Sequence, residues 1–258
     1  MGKEFNTKWL GKEWLYFQEV DSTNTKIISL AEQGMGHGAL VVAGRQTKGK
    51  GRSGRKWESK GGCGLYFSFL LKNDLPLDRA PMITLVAAMA VAKAIEEYVQ
   101  IETKIKWPND IVVSKKKICG ILSEMRIDFG KMKHVVVGIG VNVKSQEFPE
   151  EIAGMATTIQ DEVGRDIAEE ELLECILQKF EFYFDKFLET YDLSLIQEEY
   201  NQYLVNKDAQ VKVLDPIRTF EGIARGINPQ GELLVEREGK LEAVGSGEVS
   251  VRGIYGYV

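Results

Sequence analysis

The thirteen residues from Arg45 to Trp57 hold the densest set of groups able to do chemistry. They read Arg-Gln-Thr-Lys-Gly-Lys-Gly-Arg-Ser-Gly-Arg-Lys-Trp, with six cations, no acid and glycines at 49, 51 and 54. Glycine lets a backbone bend sharply and expose its amides, while lysine and arginine supply donors for phosphate or carboxylate oxygens. Two familiar phosphate motifs match only by letter. Gly44 to Lys50 satisfies GxxxxGK, yet Gly51 stands where a phosphate-binding loop needs the hydroxyl that ligates magnesium. Gly49 to Gly54 satisfies GxGxxG, but no apolar helix follows to aim its N-terminus at a pyrophosphate. A solvated basic loop, an anion-binding loop and a nucleic-acid contact with Trp57 as a stacker all stay open. Crowding six cations costs self-repulsion that an anion relieves, which tilts the balance modestly toward the anion.

A second such stretch is Lys106-Trp-Pro-Asn-Asp110. Strand alternation puts Lys104 and Lys106 on one face and Ile105 and Trp107 on the other. This is either an edge strand ending in a Pro-Asn-Asp turn, or a strand end that holds Lys106 as a fixed positive charge facing a pocket. No GxSxG, no HExxH and no triad-like placement of the two histidines, His37 and His134, is present. In an enzyme of this composition the nucleophile comes from the substrate, and the side chains mainly bind charge.

The chain has 258 residues, 44% hydrophobic and 28% charged, the balance of a globular protein with a buried core. Its net charge of -5 argues against a protein coated in nucleic acid, so any basic site is local. No apolar run is long enough to span a bilayer, and Glu4 sits where a signal peptide would be basic. Cys63, Cys119 and Cys175 are scattered and odd in number, which reads as reduced thiols in the cytoplasm.

The elements that must position these groups follow from patterning. Asp21-Ser22-Thr23-Asn24 suits a helix N-cap, with a helix over 25–33 ended by Gly34 and Gly36. Strands are expected over 39–43, 64–71, 104–107, 117–127 and 134–143, and an Ala-rich core helix over 82–99. An amphipathic helix over 168–191 is followed by another over 194–204; residues 144–163 form a loosely patterned connection. After Lys207 five short strands, QVKVL, FEGIARGI, ELLVERE, KLEAV and EVSVRG, suggest a small closed barrel with a turn at Asp215-Pro216. The expected fold class is therefore α/β: an α/β domain over 21–207, a small barrel over 208–258, and an N-terminal segment over 1–20.

Taken in order, Asp21–Asn24, Gly44–Trp57, Lys106–Asp110, Lys117-Ile-Cys-Gly-Ile-Leu-Ser-Glu124, Gly138-Ile-Gly-Val-Asn142 and Ser246-Gly-Glu-Val-Ser-Val-Arg252 resemble the biotin protein ligase family. The resemblance runs over nearly the whole chain from about Trp14. Each motif is weak alone; six in order are strong. The resemblance implies a mixed-sheet ligase domain with an SH3-like C-terminal barrel. The implied activity is two-step: biotin's carboxylate attacks the α-phosphate of ATP, and a carrier lysine then attacks the biotinyl-5′-adenylate. It also implies roles. Ser22, Thr23, Gln46, Gly49 and Lys50 would contact biotin, with Gly138 allowing its close approach. Arg52, Arg55 and Trp57 would order over the adenylate, so that the loop should be mobile without ligand; Arg52 would also assist at biotin and in catalysis. Lys106 would bridge the biotin carboxylate and the α-phosphate. Lys117 and Asn142 would serve the nucleotide, and Arg252 would reach in from the barrel. Magnesium would arrive with ATP, with Asp110 as an outer-shell helper.

The implied partner is a biotin carboxyl carrier domain of a carboxylase, with no membrane and no nucleic acid, and homodimers through sheet edges are common in the family. Family loops usually read GRGRxGR, whereas Lys50 stands at the first arginine. Lysine keeps the charge but loses the planar fork that holds an anion with two parallel bonds. The residues before Asp21 are too few for the helix-turn-helix domain of bifunctional members, although Thr7–Trp14 resembles the joint that follows it. Lipoate–protein ligase, with the same adenylation chemistry, is the nearest rival. The Gly/Arg loop together with the SGE…R barrel favours biotin.

Overall fold

The computed structural model describes residues 4–214, 218–247, 249–253 and 257–258. The Asp215-Pro216 turn and Glu248 of the SGE string lie outside the described residues. Chain order gives β1 (Trp14–Phe17), α1 (Thr23–Glu32), β2 (Leu40–Ala43), β3 (Gly64–Leu71), α2 (Met82–Val99), β4 (Lys104–Lys106), β5 (Asp110–Val113), β6 (Lys116–Asp128) and β7 (Lys131–Asn142). Then follow α3 (Glu150–Ala153), α4 (Ile159–Val163), α5 (Glu169–Thr190), α6 (Gln197–Tyr203), β8 (Gln210–Leu214), β9 (Thr219–Ile227), β10 (Leu233–Arg237), β11 (Lys240–Val244) and β12 (Ser250–Gly253).

Among the described residues a seven-stranded sheet runs β1-β2-β3-β7-β6-β5-β4, and a five-stranded one runs β11-β10-β9-β8-β12. The large sheet is mixed: β1 pairs parallel to β2, and every other pair is antiparallel. The small sheet is antiparallel throughout. The expected α/β class is what folds, and the five strands expected to make a small closed barrel form, among the described residues, this separate antiparallel sheet with β11 and β12 at its two edges.

Strand alternation divides the large sheet into two faces. On one, Ile27 and Ala31 of α1 pack on Val41, Leu70 and Val136. On the other, Leu40, Phe67, Phe69, Val135 and Val137 meet the nearly all-buried α2, against which α5 lies. Leu172, Ile176, Phe180, Phe184 and Phe187 form the buried stripe of α5. The residues ahead of Asp21 also join this body: β1 is an edge strand of the sheet, and Phe5 and Leu10 are core. The Glu181 carboxylate on α5 holds that segment by accepting the backbone N–H groups of Lys8, Trp9 and Leu10.

Three local details differ from the sequence reading. The first helix starts at Thr23 rather than Thr25, because Ser22, with extended backbone, takes the N-cap position. The Trp107-Pro108-Asn109 turn returns at once as β5, a strand that four residues of Asp-Ile-Val-Val did not announce. The patternless connection carries two short helices, α3 and α4, the second capped by the Thr158 hydroxyl accepting from the Asp161 N–H.

Candidate active site

The cleft floor is built by alternation along β7 and β6. On β7 the face toward α1 carries Val136, Gly138, Gly140 and Asn142, while the other carries Val135, Val137, Ile139 and Val141. The string Gly-Ile-Gly-Val-Asn thus seals the core with one half and opens a hollow with the other. Gly140 pairs with Gly120 of β6, Gly120 with Asp110 of β5, and Asp110 with Lys106 of β4. One row across four strands therefore reads Lys106, Asp110, Gly120, Gly140. A Cβ on Gly140 would lie 2.6 Å from the Trp57 indole, and one on Gly120 would lie 2.7 Å from it. The ring needs both hydrogens there, and its buried Nε1–H has no acceptor among the described residues. A Cβ on Gly138 would overlap Asn24 Oδ1.

Above this floor lies a half-open cleft of about 1040 Å³. Its lining includes Ser22, Thr23, Gln46, Lys50, Arg52, Arg55, Trp57, Lys106, Asp110, Lys117, Gly138, Asn142 and Arg252, so nearly all of the sequence-nominated residues converge. Gly49 is not among them. It stands where the two arms of the basic loop approach: Trp57 N–H donates to Gly49 O at 3.0 Å, and a Cβ on Gly49 would sit 2.5 Å from Trp57 O. The loop is a small hairpin with Lys50 bridged to Lys56 and a tip at Arg52–Gly54.

One end of the cleft is a continuous polar network. Gln46 Oε1 accepts from the Thr23 N–H at 2.8 Å and from its hydroxyl at 3.2 Å. Ser68 Oγ lies 2.7 Å from Thr23 Oγ1 and donates to Asn24 Oδ1 at 2.6 Å. Asn24 Nδ2 donates to Glu124 Oε2 at 2.7 Å, and Glu124 Oε1 is 3.5 Å from Lys50 Nζ. Asn24, Ser68 and Glu124 were not singled out from the sequence as site residues. Asn24 and Glu124 stood inside recognised motifs, whereas Ser68 sits in an apolar strand with nothing to mark it.

The other end is cationic. Lys106 is only 7% exposed, and burial brings its ammonium down to a pKa of about 8. Nearby Asp110 works against that fall, and Lys117, Arg252 and Arg55 add to it. Lys117 Nζ is 2.6 Å from Asp110 Oδ1 and 5.3 Å from the Trp57 ring centroid. Burial alone would raise the Asp110 carboxyl, but Lys117 and Tyr257 outweigh it and hold the group below the usual carboxylate range. Arg52 ties the loop to the small sheet. Its Nη1 donates to Asn109 Oδ1 at 3.0 Å, and its Nη2 meets the carbonyls of Ser246, Gly247 and Val249 at 2.7, 2.7 and 3.1 Å. The connection after β7 closes the remaining wall: Asn142 Nδ2 donates to Thr157 O, and Lys117 N–H donates to Met155 O. His37 stacks on Trp9 and His134 is buried in β7, both away from the cleft.

Comparison with known proteins matches this architecture domain by domain. Residues 14–142 match the Biotin/lipoate A/B protein ligase family, and residues 209–252 match the Biotin protein ligase C terminal domain. The bifunctional ligase/repressor BirA of Bacillus subtilis is 34% identical over 247 residues, 95% of this chain and 76% of that protein. The biotin–[acetyl-CoA-carboxylase] ligase of Mycobacterium tuberculosis is 27% identical over 237 residues, 90% of this chain and 86% of that one. A biotin protein ligase from Aquifex aeolicus, solved with biotin and ATP, superposes with a TM-score of 0.81 at 34% identity, covering 94% of this chain and 99% of that one. With both domains matched in order, the chain belongs to the biotin protein ligase family.

Proposed function

We propose that this chain activates biotin as biotinyl-5′-adenylate and transfers it to one lysine of a biotin carboxyl carrier domain of a carboxylase. The observation that carries the reading is Lys106, a buried ammonium with no carboxylate partner among the described residues, placed between a polar pocket and a glycine-floored hollow. Biotin has the matching form. Its ureido ring, with donors and an acceptor, suits the Ser22, Thr23, Gln46 and Asn24 end, and Gly138 lets it lie close to β7. Its carboxylate then reaches Lys106.

In the first step a biotin carboxylate oxygen attacks the α-phosphorus of ATP, and pyrophosphate leaves with the electron pair of the broken P–O bond. Lys106 lies where both the attacking carboxylate and the α-phosphate oxygens would gather, and its charge offsets the repulsion between them. Arg52, Arg55 and Arg252 add positive charge around the phosphates. Lys117, Asn142 and Trp57 line the part of the cleft that takes the nucleoside. In the second step a neutral carrier lysine attacks the biotinyl carbon, AMP leaves, and the new amide releases one proton.

Magnesium enters as part of the nucleotide substrate. Among the described residues no group of three or more His, Cys, Asp or Glu could hold a metal. Asp110, with Lys117 on one oxygen, suits an outer-shell contact better than a direct ligand. We read 21–207 as the catalytic domain, the small sheet as an SH3-like domain, and exposed Leu15 and Tyr16 on edge strand β1 as the place for a homodimer through sheet edges. Three unpaired cysteines suit a reducing compartment, the cytoplasm. No helix of the described residues is long and apolar enough to cross a membrane.

The test is mass-spectrometric. The protein incubated with biotin, ATP and magnesium should accumulate biotinyl-adenylate. Adding a biotin carboxyl carrier domain should discharge it to AMP and one biotinylated lysine. Adenylate that forms but is never discharged by the carrier would contradict the second step.

A further inference from the structure

Lys106 and Asp110 are direct cross-strand partners in the β4–β5 hairpin. Opposite charges at such positions attract, and the expected outcome is an ion pair. No such pair forms: no carboxylate oxygen among the described residues comes within 4.0 Å of Lys106 Nζ. Asp110 gives one oxygen to Lys117, at 2.6 Å, and its other oxygen accepts a hydrogen bond from the Tyr257 hydroxyl. The ring of the same tyrosine lies under Lys106 Nζ, 3.6 Å from the centroid. One side chain, delivered from beyond β12, thus occupies both halves of the pair that would otherwise close.

We infer that Tyr257 is a positioning residue for adenylation, which keeps Asp110 off Lys106 and so leaves the Lys106 ammonium free for substrate oxygens. The inference rests on the role given to Lys106 above. A ring face is a weaker partner for an ammonium than a carboxylate, so it shelters the charge and yields to an incoming carboxylate or phosphate. Asp110 would not yield so easily: paired with Lys106, it would neutralise the cation that the reaction needs. Lys117 alone cannot prevent this, because a carboxylate has two oxygens and Lys117 holds only Oδ1.

The charged groups that face Lys106 are Asp110 from β5, Lys117 from β6, Arg55 from the basic loop and Arg252 from β12. Of these only Asp110 raises its affinity for a proton. The variant Tyr257→Phe keeps the ring and removes the hydroxyl, freeing Asp110 Oδ2 to turn toward Lys106. Competitive acetylation across pH, read at Lys106 by mass spectrometry, reports its titration without any turnover. In the variant the half-labelling pH should rise by about one unit, a tenfold gain in proton affinity. Biotin-dependent ATP–pyrophosphate exchange should fall about tenfold in kcat, with a smaller change in KM. In an Asp110→Asn background the tyrosine substitution should add nothing further, because no carboxylate remains to misplace. An unchanged Lys106 titration overturns the inference, and so does unchanged exchange. If the wild-type protein itself fails to exchange with biotin, the reading of the site fails instead, and the labelling still decides whether Tyr257 keeps the two charges apart.

Discussion

The outer surface of the small C-terminal sheet and the cleft use lysine and arginine in opposite ways. On the small sheet Arg225 reaches both Asp208 and Glu236, Arg218 pairs with Glu242, and Lys212 with Glu221, all on the exposed surface. In the cleft Lys106, Arg55 and Arg252 have no carboxylate partner among the described residues, although all three line one hollow and the two arginines disfavour the charge on Lys106. Exposed pairs contribute little to stability, because water already solvates both ions. A buried cation without an acid, as Lys106 is beside two exposed arginines, is a standing cost, tolerated where an anion is meant to arrive. Where a chain leaves its charges unpaired therefore says more about function than where it pairs them.

The largest effect should come from Lys106. Lys106→Met is expected to abolish biotin-dependent pyrophosphate exchange, by about a thousandfold or more, with the fold intact. The same change should raise stability at neutral pH. Burial lowers the folded pKa to about 8, against the ordinary lysine value of 10.5, so the folded state pays for the charge in full below pH 8. That cost shrinks between pH 8 and 10.5 as the folded protein alone loses the proton. The stabilisation by methionine should be on the order of 2 kcal/mol below pH 8 and vanish toward pH 10.5, as checked by denaturant melts across pH. Equal stability at every pH would mean that the charge is compensated after all.

Next in size is the glycine floor. Gly140→Ala would put a methyl group against the Trp57 indole and displace it, so the KM for ATP should rise about tenfold while biotin affinity changes little. A third test concerns the loop lysine. Lys50→Ala removes the partner of Glu124 and a charge at the cleft wall, and the adenylate off-rate should rise several-fold, with stray lysine biotinylation as the visible result. An off-rate equal to wild type would sink that role. Smallest of all, Arg225→Ala on the small sheet should leave exchange unchanged and the thermal midpoint within about 2 °C.

Much of this was legible because the informative residues came as contiguous strings. The basic loop, Lys106–Asp110 and Gly138–Asn142 each name a segment whose geometry follows from its own residues: glycines that permit close approach, and alternation that turns one strand face to the core. The large helices were equally plain, α2 from its apolar run and α5 from its stripe. What escaped was whatever depends on distant chain. Ser68 supports the site from behind, through Thr23 and Asn24, only because β3 pairs with β7 opposite Gly138. Asp110 reads as a turn residue until β5 turns out to be a strand beside β6. Trp57 looks like a free stacker until Gly120 and Gly140 are seen to form a cross-strand pair beneath it. Tyr257 lies beyond the last motif, where no local pattern could place it on Lys106.

The most direct measurement is ATP–pyrophosphate exchange with magnesium and biotin, with lipoate in a parallel reaction. Exchange with biotin, lost in Lys106→Met and absent with lipoate, is the expected result. Exchange with lipoate alone, or biotin exchange that survives the loss of Lys106, would contradict the account.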